Sequence, residues 1–495
     1  MNEQKVAVIG AGPAGLTAAY LLSKAGVSVE VFEADPVYVG GISRTEKYKG
    51  YYFDIGGHRF FSKSREVEDF WTEILGDEML QRPRSSRIYY QKKFFQYPLV
   101  AWDALRKLGL WTSTLCMLSY VYAKLFPVRN PQNFEEWVTN QFGKKLYSIF
   151  FKTYTEKVWG VPCTEISADW AAQRIKGLSM SSLVRNALFP QKSTGEGVIK
   201  TLIDSFRYPR LGPGMMWERC TEKCRQQGAV VRMNARVQSL ILDQNKWSVQ
   251  LNSGENIHGF DHVISSAPLR ELVKSVVPAF PPKVLEAATQ LGYRDFITVV
   301  LILPDRGIFS DNWIYIHDPT VKVGRIQNFK SWSPEMVPDP QMTAYGLEYF
   351  CFDGDGLWNT PDDKLIEMAK KEIAQIGLAS VSEIQDGCVV RQKKAYPVYD
   401  RLYKDRVGII RAALNDYPGL QLVGRNGMHK YNNQDHSMMT AMLAVQNILA
   451  GRSLFDLWQV NEDAIYHETI GADEEDLSPK GRMIPKVIGE SSGES

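Results

Sequence analysis

Residues 53–62 read FDIGGHRFFS, a stretch that sets one titratable ring, His58, directly behind two glycines. Glycine pairs mark tight backbone geometry or a close approach of the backbone to a ligand. Imidazole is the side chain whose ordinary pKa lies nearest neutrality. The stretch therefore offers hydrogen bonding or proton transfer beside something the backbone lies against. A second stretch with chemical meaning is GAGPAG, where Gly10, Gly12 and Gly15 stand at GxGxxG spacing around Pro13 and Ala14. In that pattern the first glycine permits a tight turn, the second lets the backbone reach a pyrophosphate, and the third lets a helix pack closely on a strand. Glu33 follows 18 residues after Gly15, placed to accept hydrogen bonds from a ribose 2′-OH.

These groups need particular elements to position them. Residues 5–9, KVAVI, form a short apolar run of the kind a buried parallel strand requires. An amphipathic helix is expected from the glycine turn to about Ala25, and VSVEVFEA at 27–34 reads as the next strand, ending near Glu33. The helix N-terminus would turn free amide donors and its positive dipole end toward the anion. A second glycine pair, Gly40 and Gly41, precedes Ser43, Arg44 and Thr45. A simple dehydrogenase continues with another strand–helix unit. Here extended, glycine-punctuated segments follow instead, and they suit a large flat ring. Farther on, RIYYQKKFFQYPL at 87–99 reads as a hairpin turning at Lys92 and Lys93, and 227–268 reads as a series of strands.

Composition excludes some functions. A net charge of +2 without a long basic run argues against a nucleic-acid partner. The six cysteines show no zinc spacing and no CxxC pair, no metal site is visible, and free thiols in a chain of 495 residues suit a reducing, cytoplasmic compartment. No secretory signal and no GxSxG elbow are visible. The apolar stretch 108–123 is 16 residues long, short of the roughly 20 a spanning helix needs. It is expected as a buried or oligomer-facing helix, or as a helix making peripheral membrane contact.

The whole pattern resembles UDP-galactopyranose mutases, within the amine oxidase and protoporphyrinogen oxidase-like superfamily. The motifs that carry the resemblance are GGHRFFS, the 87–99 hairpin, YTEKVWG at 154–160, NWIYIHD followed by Arg325, AYPVYD at 395–400 and GRNGMHKYNNQDHS at 424–437. The resemblance implies an α/β fold: a split Rossmann-like FAD-binding domain (1–64, 228–270 and 415–455) with an inserted mostly helical domain (100–206). A mixed β-sheet substrate domain (75–99 and 271–414) and a flexible tail (476–495) would complete it. It implies interconversion of the pyranose and furanose forms of a UDP-hexose, with reduced FAD as nucleophile and NADH or NADPH as reductant.

By the same resemblance His58, Arg174 and Arg325 are expected to be catalytic, the two arginines on the diphosphate. Trp159 would line the sugar pocket, and Tyr315, Tyr396 and Tyr431 would donate hydroxyls to the diphosphate. FAD contacts are expected from Gly10, Gly12, Pro13, Ala14, Gly15, Glu33, Gly41, Ser43, Gly57, His58, Val237, Arg425, Asn433, Gln434 and Ser437. His58 has three readings: a hydrogen-bonding partner at the flavin edge, a proton-transfer group, or a packed residue. The rival function is an oxidoreductase of the protoporphyrinogen or amine oxidase type with an apolar pocket, and the third is a non-redox flavin-binding partner protein.

Overall fold

The structure, a computed structural model, describes residues 4–97, 99, 101–168, 171 and 205–461. Its first body is built on a five-stranded parallel sheet in the order Leu420–Leu422, His262–Ser265, Lys5–Ile9, Ser28–Phe32 and Val230–Arg232. Four of the five residues of Lys5–Ile9 are buried, as a strand covered on both faces requires. Helices Pro13–Lys24, Pro213–Gln226 and Gln434–Leu449 pack together over it. A four-stranded sheet, from Val237–Asp243 through Asn256–Phe260 with Val276–Val277 at its edge, joins the same core. That core also takes in Leu269 to Leu291 and Ile410. Leu269 falls in the expected FAD-binding segment 228–270, whereas the residues from 271 onward fall in the stretch expected to form the substrate sheet. Their apolar spacing shows that they must be buried, but not against which sheet.

The second body is a mixed seven-stranded sheet in the order Asp386–Pro397, Tyr293–Pro304, Met342–Cys351, Arg325–Asn328, Trp313–Ile316, Ser86–Tyr90 and Lys93–Gln96. The last two form the hairpin, turning through Gln91 and Lys92 at positive φ. One face is covered by helix Asp362–Ile376, which buries Leu365, Ala369, Ile373 and Ile376 at helical spacing. The other face turns toward the first body. A layer of short helices completes the described chain, including Leu110–Leu125, Phe134–Phe142 and Thr153–Trp159. Its core gathers Cys116, Phe134, Phe142, Phe150 and Trp159. The tail expected at 476–495 and most of the second half of the expected helical domain lie outside the described residues.

Candidate functional site

A cleft of about 560 Å³ runs from the glycine turn to the His58 loop. Gly10, Gly12, Pro13, Ala14, Glu33, Gly41, Ser43, His58, Val237, Arg425, Gln434 and Ser437 all line it. Helices Pro13–Lys24 and Gln434–Leu449 both begin there, so two sets of first-turn amides and two positive dipole ends meet in one place. The glycines divide their work as the motif requires. Gly10 has φ +94°, open to glycine above other residues. A Cβ on Gly15 would lie 1.8 Å from the carbonyl oxygen of Gly10, so that position is fixed by helix-on-strand packing. Gly12 differs: its φ is −81° and a Cβ would meet nothing nearer than Gly41, at 3.9 Å. Nothing among the described residues demands glycine at position 12, whereas a ligand approaching its backbone would.

Three expected cofactor residues are placed otherwise. Gly15 lies behind the turn. Gly57 does not line the cleft; a Cβ there would meet Gln327 and Trp332, and it is Gly56, at φ +84°, that turns the loop. Asn433 caps helix Gln434–Leu449, where its side chain accepts from the third-residue amide and the Asn433 amide donates to Nδ1 of His436 at 3.2 Å. Glu33 reaches the cleft but also folds back on its own loop, accepting from the amides of Ala11 at 2.6 Å and Asp35 at 2.8 Å. Burial raises its carboxyl pKa and the backbone donors pull the other way.

The cleft also carries groups the sequence reading missed. Asn426 lines it with a buried Oδ1 that has no hydrogen-bond partner among the described residues, and Gln434 Oε1 and His58 Nδ1 are in the same condition. Buried polar atoms are otherwise nearly always paired. Their orphan state, together with the open face of Gly12, fits a dinucleotide whose ring system brings its own N–H and O–H groups. Lys394 and Ser266 complete this wall.

Beyond His58 the face of the seven-stranded sheet opposite helix Asp362–Ile376 supplies a second set of groups. Register does the assembly. Tyr315 pairs directly with Arg325, and Arg325 with Glu348, so three neighbouring strands place them in one row. Arg325 donates to Glu348 Oε2 through Nε at 2.9 Å and through its second terminal nitrogen at 2.7 Å. Gln327 holds the other oxygen of Glu348 at 2.5 Å. Burial works against the Arg325 cation, but Glu348, Tyr396 and Tyr154 outweigh it and hold the guanidinium charged. Helix Thr153–Trp159 adds Tyr154, which packs edge-on to Tyr315 with ring centres 5.3 Å apart. Tyr396 and Tyr431 stack at 5.6 Å and 12°, Trp159 lies 5.9 Å from Tyr431, and the Arg425 guanidinium sits 5.2 Å from both tyrosine rings. Arg325 thus stands among Tyr154, Tyr315 and Tyr396, with Tyr431 stacked on the last of them. Of these, Tyr154 was missed by the sequence reading although it opens the YTEKVWG motif, five positions before Trp159. Arg174 lies outside the described residues.

His58 lines the cleft and stands close enough to Arg425 and Arg325 to feel both charges. Burial, then the charges of Arg425 and Arg325, pull its pKa down to about 3. It is a neutral imidazole at physiological pH, suited to hydrogen bonding rather than to titrating near pH 7. Tyr396 is pushed the other way, to about 12, by burial and by Tyr431, so its hydroxyl remains a donor. His317, stacked on Tyr154 at 5.0 Å, is lowered to about 3, first by burial and then by Lys157, and His429 to about 4, chiefly by burial.

A stability prediction follows. Below the ordinary histidine value of 6.5 the unfolded chain binds protons that folded His317 and His429 refuse. Stability contributed by their neutral forms is complete above that value and is lost as pH falls toward about 4, at up to about 1.4 kcal/mol per pH unit for each. Urea unfolding at pH 7 and pH 5 should show this acid loss, and His317→Phe should show a smaller one. Equal losses in the two proteins would rule out His317 as a contributor.

Among the described residues no group of histidine, cysteine and carboxylate side chains is arranged to hold a metal. The sequence profile of flavin containing amine oxidoreductases matches residues 13–426. An L-amino-acid oxidase of Crotalus adamanteus is 44% identical over 69 residues, which is 14% of this chain and 13% of that protein. A Klebsiella pneumoniae protein named "Probable UDP-galactopyranose mutase" is 25% identical over 177 residues, 34% of this chain and 44% of that one. The chain therefore aligns with less than half the length of either relative. Among solved structures, a reduced UDP-galactopyranose mutase superposes with a TM-score of 0.77 at 22% identity, covering 92% of this chain and 95% of the other.

Proposed function

This chain belongs to the flavin containing amine oxidoreductase family, an FAD-dependent superfamily, and we propose that within it the protein is a sugar-nucleotide mutase. The reaction would interconvert the pyranose and furanose forms of a UDP-hexose, UDP-galactose being the substrate to test first. One observation carries the reading: beside the His58 loop a fixed guanidinium, Arg325, stands against the three tyrosines Tyr154, Tyr315 and Tyr396, with Tyr431 stacked on Tyr396. A leaving diphosphate gathers negative charge, and fixed guanidinium and hydroxyl donors stabilise it where it develops. A purely apolar substrate would leave such donors unpaired. The similarity to mutases in fold and in part of the sequence supports the same reading.

The orphan acceptors of Asn426 and Gln434, the two helix N-termini and Gly12 would hold FAD. Reduced FAD supplies the electron pair this redox-neutral isomerisation needs, and NADH or NADPH is the reductant we propose. The rest of the work falls to the chain. Glu348 and Gln327 lock Arg325 in one orientation, so the diphosphate meets a preset donor. Tyr396, kept protonated, donates to it, and Tyr154 and Tyr315 stand beside Arg325 for the same purpose. Trp159, expected to line the sugar pocket, is buried and instead backs Tyr431 at 5.9 Å. His58, neutral, can hydrogen-bond at the flavin edge without placing a second cation there. A cytoplasmic location fits a nucleotide-sugar substrate and six unpaired thiols.

Purified protein reduced with dithionite and given UDP-galactose should yield a new furanose product by chromatography, and the oxidised protein should not. Turnover only of the oxidised protein, with oxygen consumed, would instead establish the oxidase reading.

A further inference from the structure

Helix Leu110–Leu125 is apolar on the side that faces solvent. Its inner side buries Cys116 and Ala123, seven residues apart, against helices Phe134–Phe142 and Lys144–Tyr147. Its outer side presents Leu110 at 91% exposure, Trp111 at 77%, Leu118 at 61%, Tyr122 at 66% and Leu125 at 68%, with Phe126 following. Surface helices normally turn polar residues outward, and contiguous exposed apolar patches mark interaction sites. The helix has 16 residues, about 24 Å at the usual rise, and no helix among the described residues is long and apolar enough to cross a membrane.

Charge selects the occupant. From 104 to 134 the chain carries no aspartate or glutamate, and Arg106, Lys124 and Arg129 are exposed around the apolar face. A second copy seated on this face would set these cations against their own kind. An anionic lipid surface would neutralise them while its acyl boundary took up the apolar and aromatic side chains. We infer that helix Leu110–Leu125 docks the protein in the plane of an anionic phospholipid bilayer, through the Trp111–Leu118–Leu125 face and the flanking cations. Helices of this kind bind by buried apolar area together with attraction to anionic lipid. The inner side of the helix shares an apolar cluster with Tyr315 and Tyr431, so docking would fix the orientation of the site relative to the bilayer. The inference is independent of the reaction proposed above.

The test is co-sedimentation of the full-length protein with two kinds of vesicle, pure phosphatidylcholine and an equimolar mixture with phosphatidylglycerol. The protein should pellet with the mixed vesicles and at least about tenfold less with the neutral ones, since each basic residue near an anionic surface is worth about fivefold. The triple variants Trp111→Glu/Leu118→Glu/Leu125→Glu and Arg106→Glu/Lys124→Glu/Arg129→Glu should each lose binding by at least about tenfold, with flavin absorbance and melting temperature intact as evidence of folding. Wild-type protein left in the supernatant with both vesicles overturns the inference, as do variants that pellet like wild type. A wild-type dimer in light scattering that the apolar variant dissolves would assign the face to a second copy instead.

Discussion

Gly12→Val is expected to purify as a folded protein without bound flavin, whereas Gly15→Val is expected not to accumulate as folded protein at all. The two glycines stand three residues apart in one motif and look equivalent in the sequence. Their surroundings separate them. A Cβ on Gly15 would lie 1.8 Å from the Gly10 carbonyl oxygen and 3.3 Å from Val8 Cγ1. The offending atom is backbone, locked between strand Lys5–Ile9 and helix Pro13–Lys24, so it cannot rotate away. Relief requires the helix to lift off the central strand of the parallel sheet, at a cost well above the 1–3 kcal/mol of ordinary overpacking. At position 12, φ is −81°, which any residue adopts, and a Cβ meets no atom within 3.4 Å. Valine there should leave the melting temperature of the flavin-free protein within about 3 °C of wild type, the shift expected of a change that costs under 1 kcal/mol. It would, however, project two methyl groups into the space through which a pyrophosphate must approach the backbone. The measurements are absorbance at the flavin band and thermal unfolding of both variants beside flavin-stripped wild type. Full flavin occupancy in Gly12→Val would show that no ligand approaches this backbone.

What the sequence could show, and what it could not, follows the same division between local and distant contacts. The glycine motif was legible because strand, turn, helix and acidic residue succeed one another within 29 positions, from Lys5 to Glu33, and each is dictated by its neighbours. The hairpin at Ser86–Gln96 was legible for the same reason. Glu348 was not. It stands as the single ionisable carboxylate in a strand otherwise buried as apolar and small polar residues, Met342–Cys351, and that is a signal in itself. Its partner is 23 residues away, however, and only sheet register says that the two are opposite one another. Register likewise hid the membership of Tyr154 and the packing of 269–291, which depend on which layer each element meets. The place of Gly57 off the cleft has a narrower cause. A glycine pair shows that a turn is tight without showing which member faces the ligand, and here Gly56 makes the turn while Gly57 faces Gln327 and Trp332. His58 has an ordinary value near neutrality as far as the sequence shows, and burial, reinforced by two arginines from distant segments, moves it to about 3.

The buried partner of Arg325 changes what its removal should do. If Arg325 only gripped the substrate diphosphate, Arg325→Ala would weaken UDP binding and leave the fold alone. Glu348 is fully buried, however, and takes two of its three hydrogen bonds from Arg325. Deleting the arginine strands that carboxylate with one amide donor, Gln327, and breaking a buried pair from one side costs about 3–5 kcal/mol. Arg325→Ala is therefore expected to lower stability by that amount as well as to lose activity, and the single variant cannot apportion the two. The double variant Arg325→Met/Glu348→Gln can. Replacing both partners by neutral groups of similar volume is often close to neutral for stability, so the double variant should regain most of the loss in urea unfolding. Its turnover on UDP-galactose should nonetheless remain down by about a hundredfold or more, the usual consequence of deleting one preset donor to developing anionic charge. Glu348→Gln alone leaves the Arg325 guanidinium without its buried counter-charge, so it too should lose stability, and by loosening the orientation of Arg325 it predicts a fall in kcat larger than any rise in KM. Recovery of both stability and turnover in the double variant would make the Arg325–Glu348 pair a scaffold for the sheet, and the diphosphate would then have to be met by other donors.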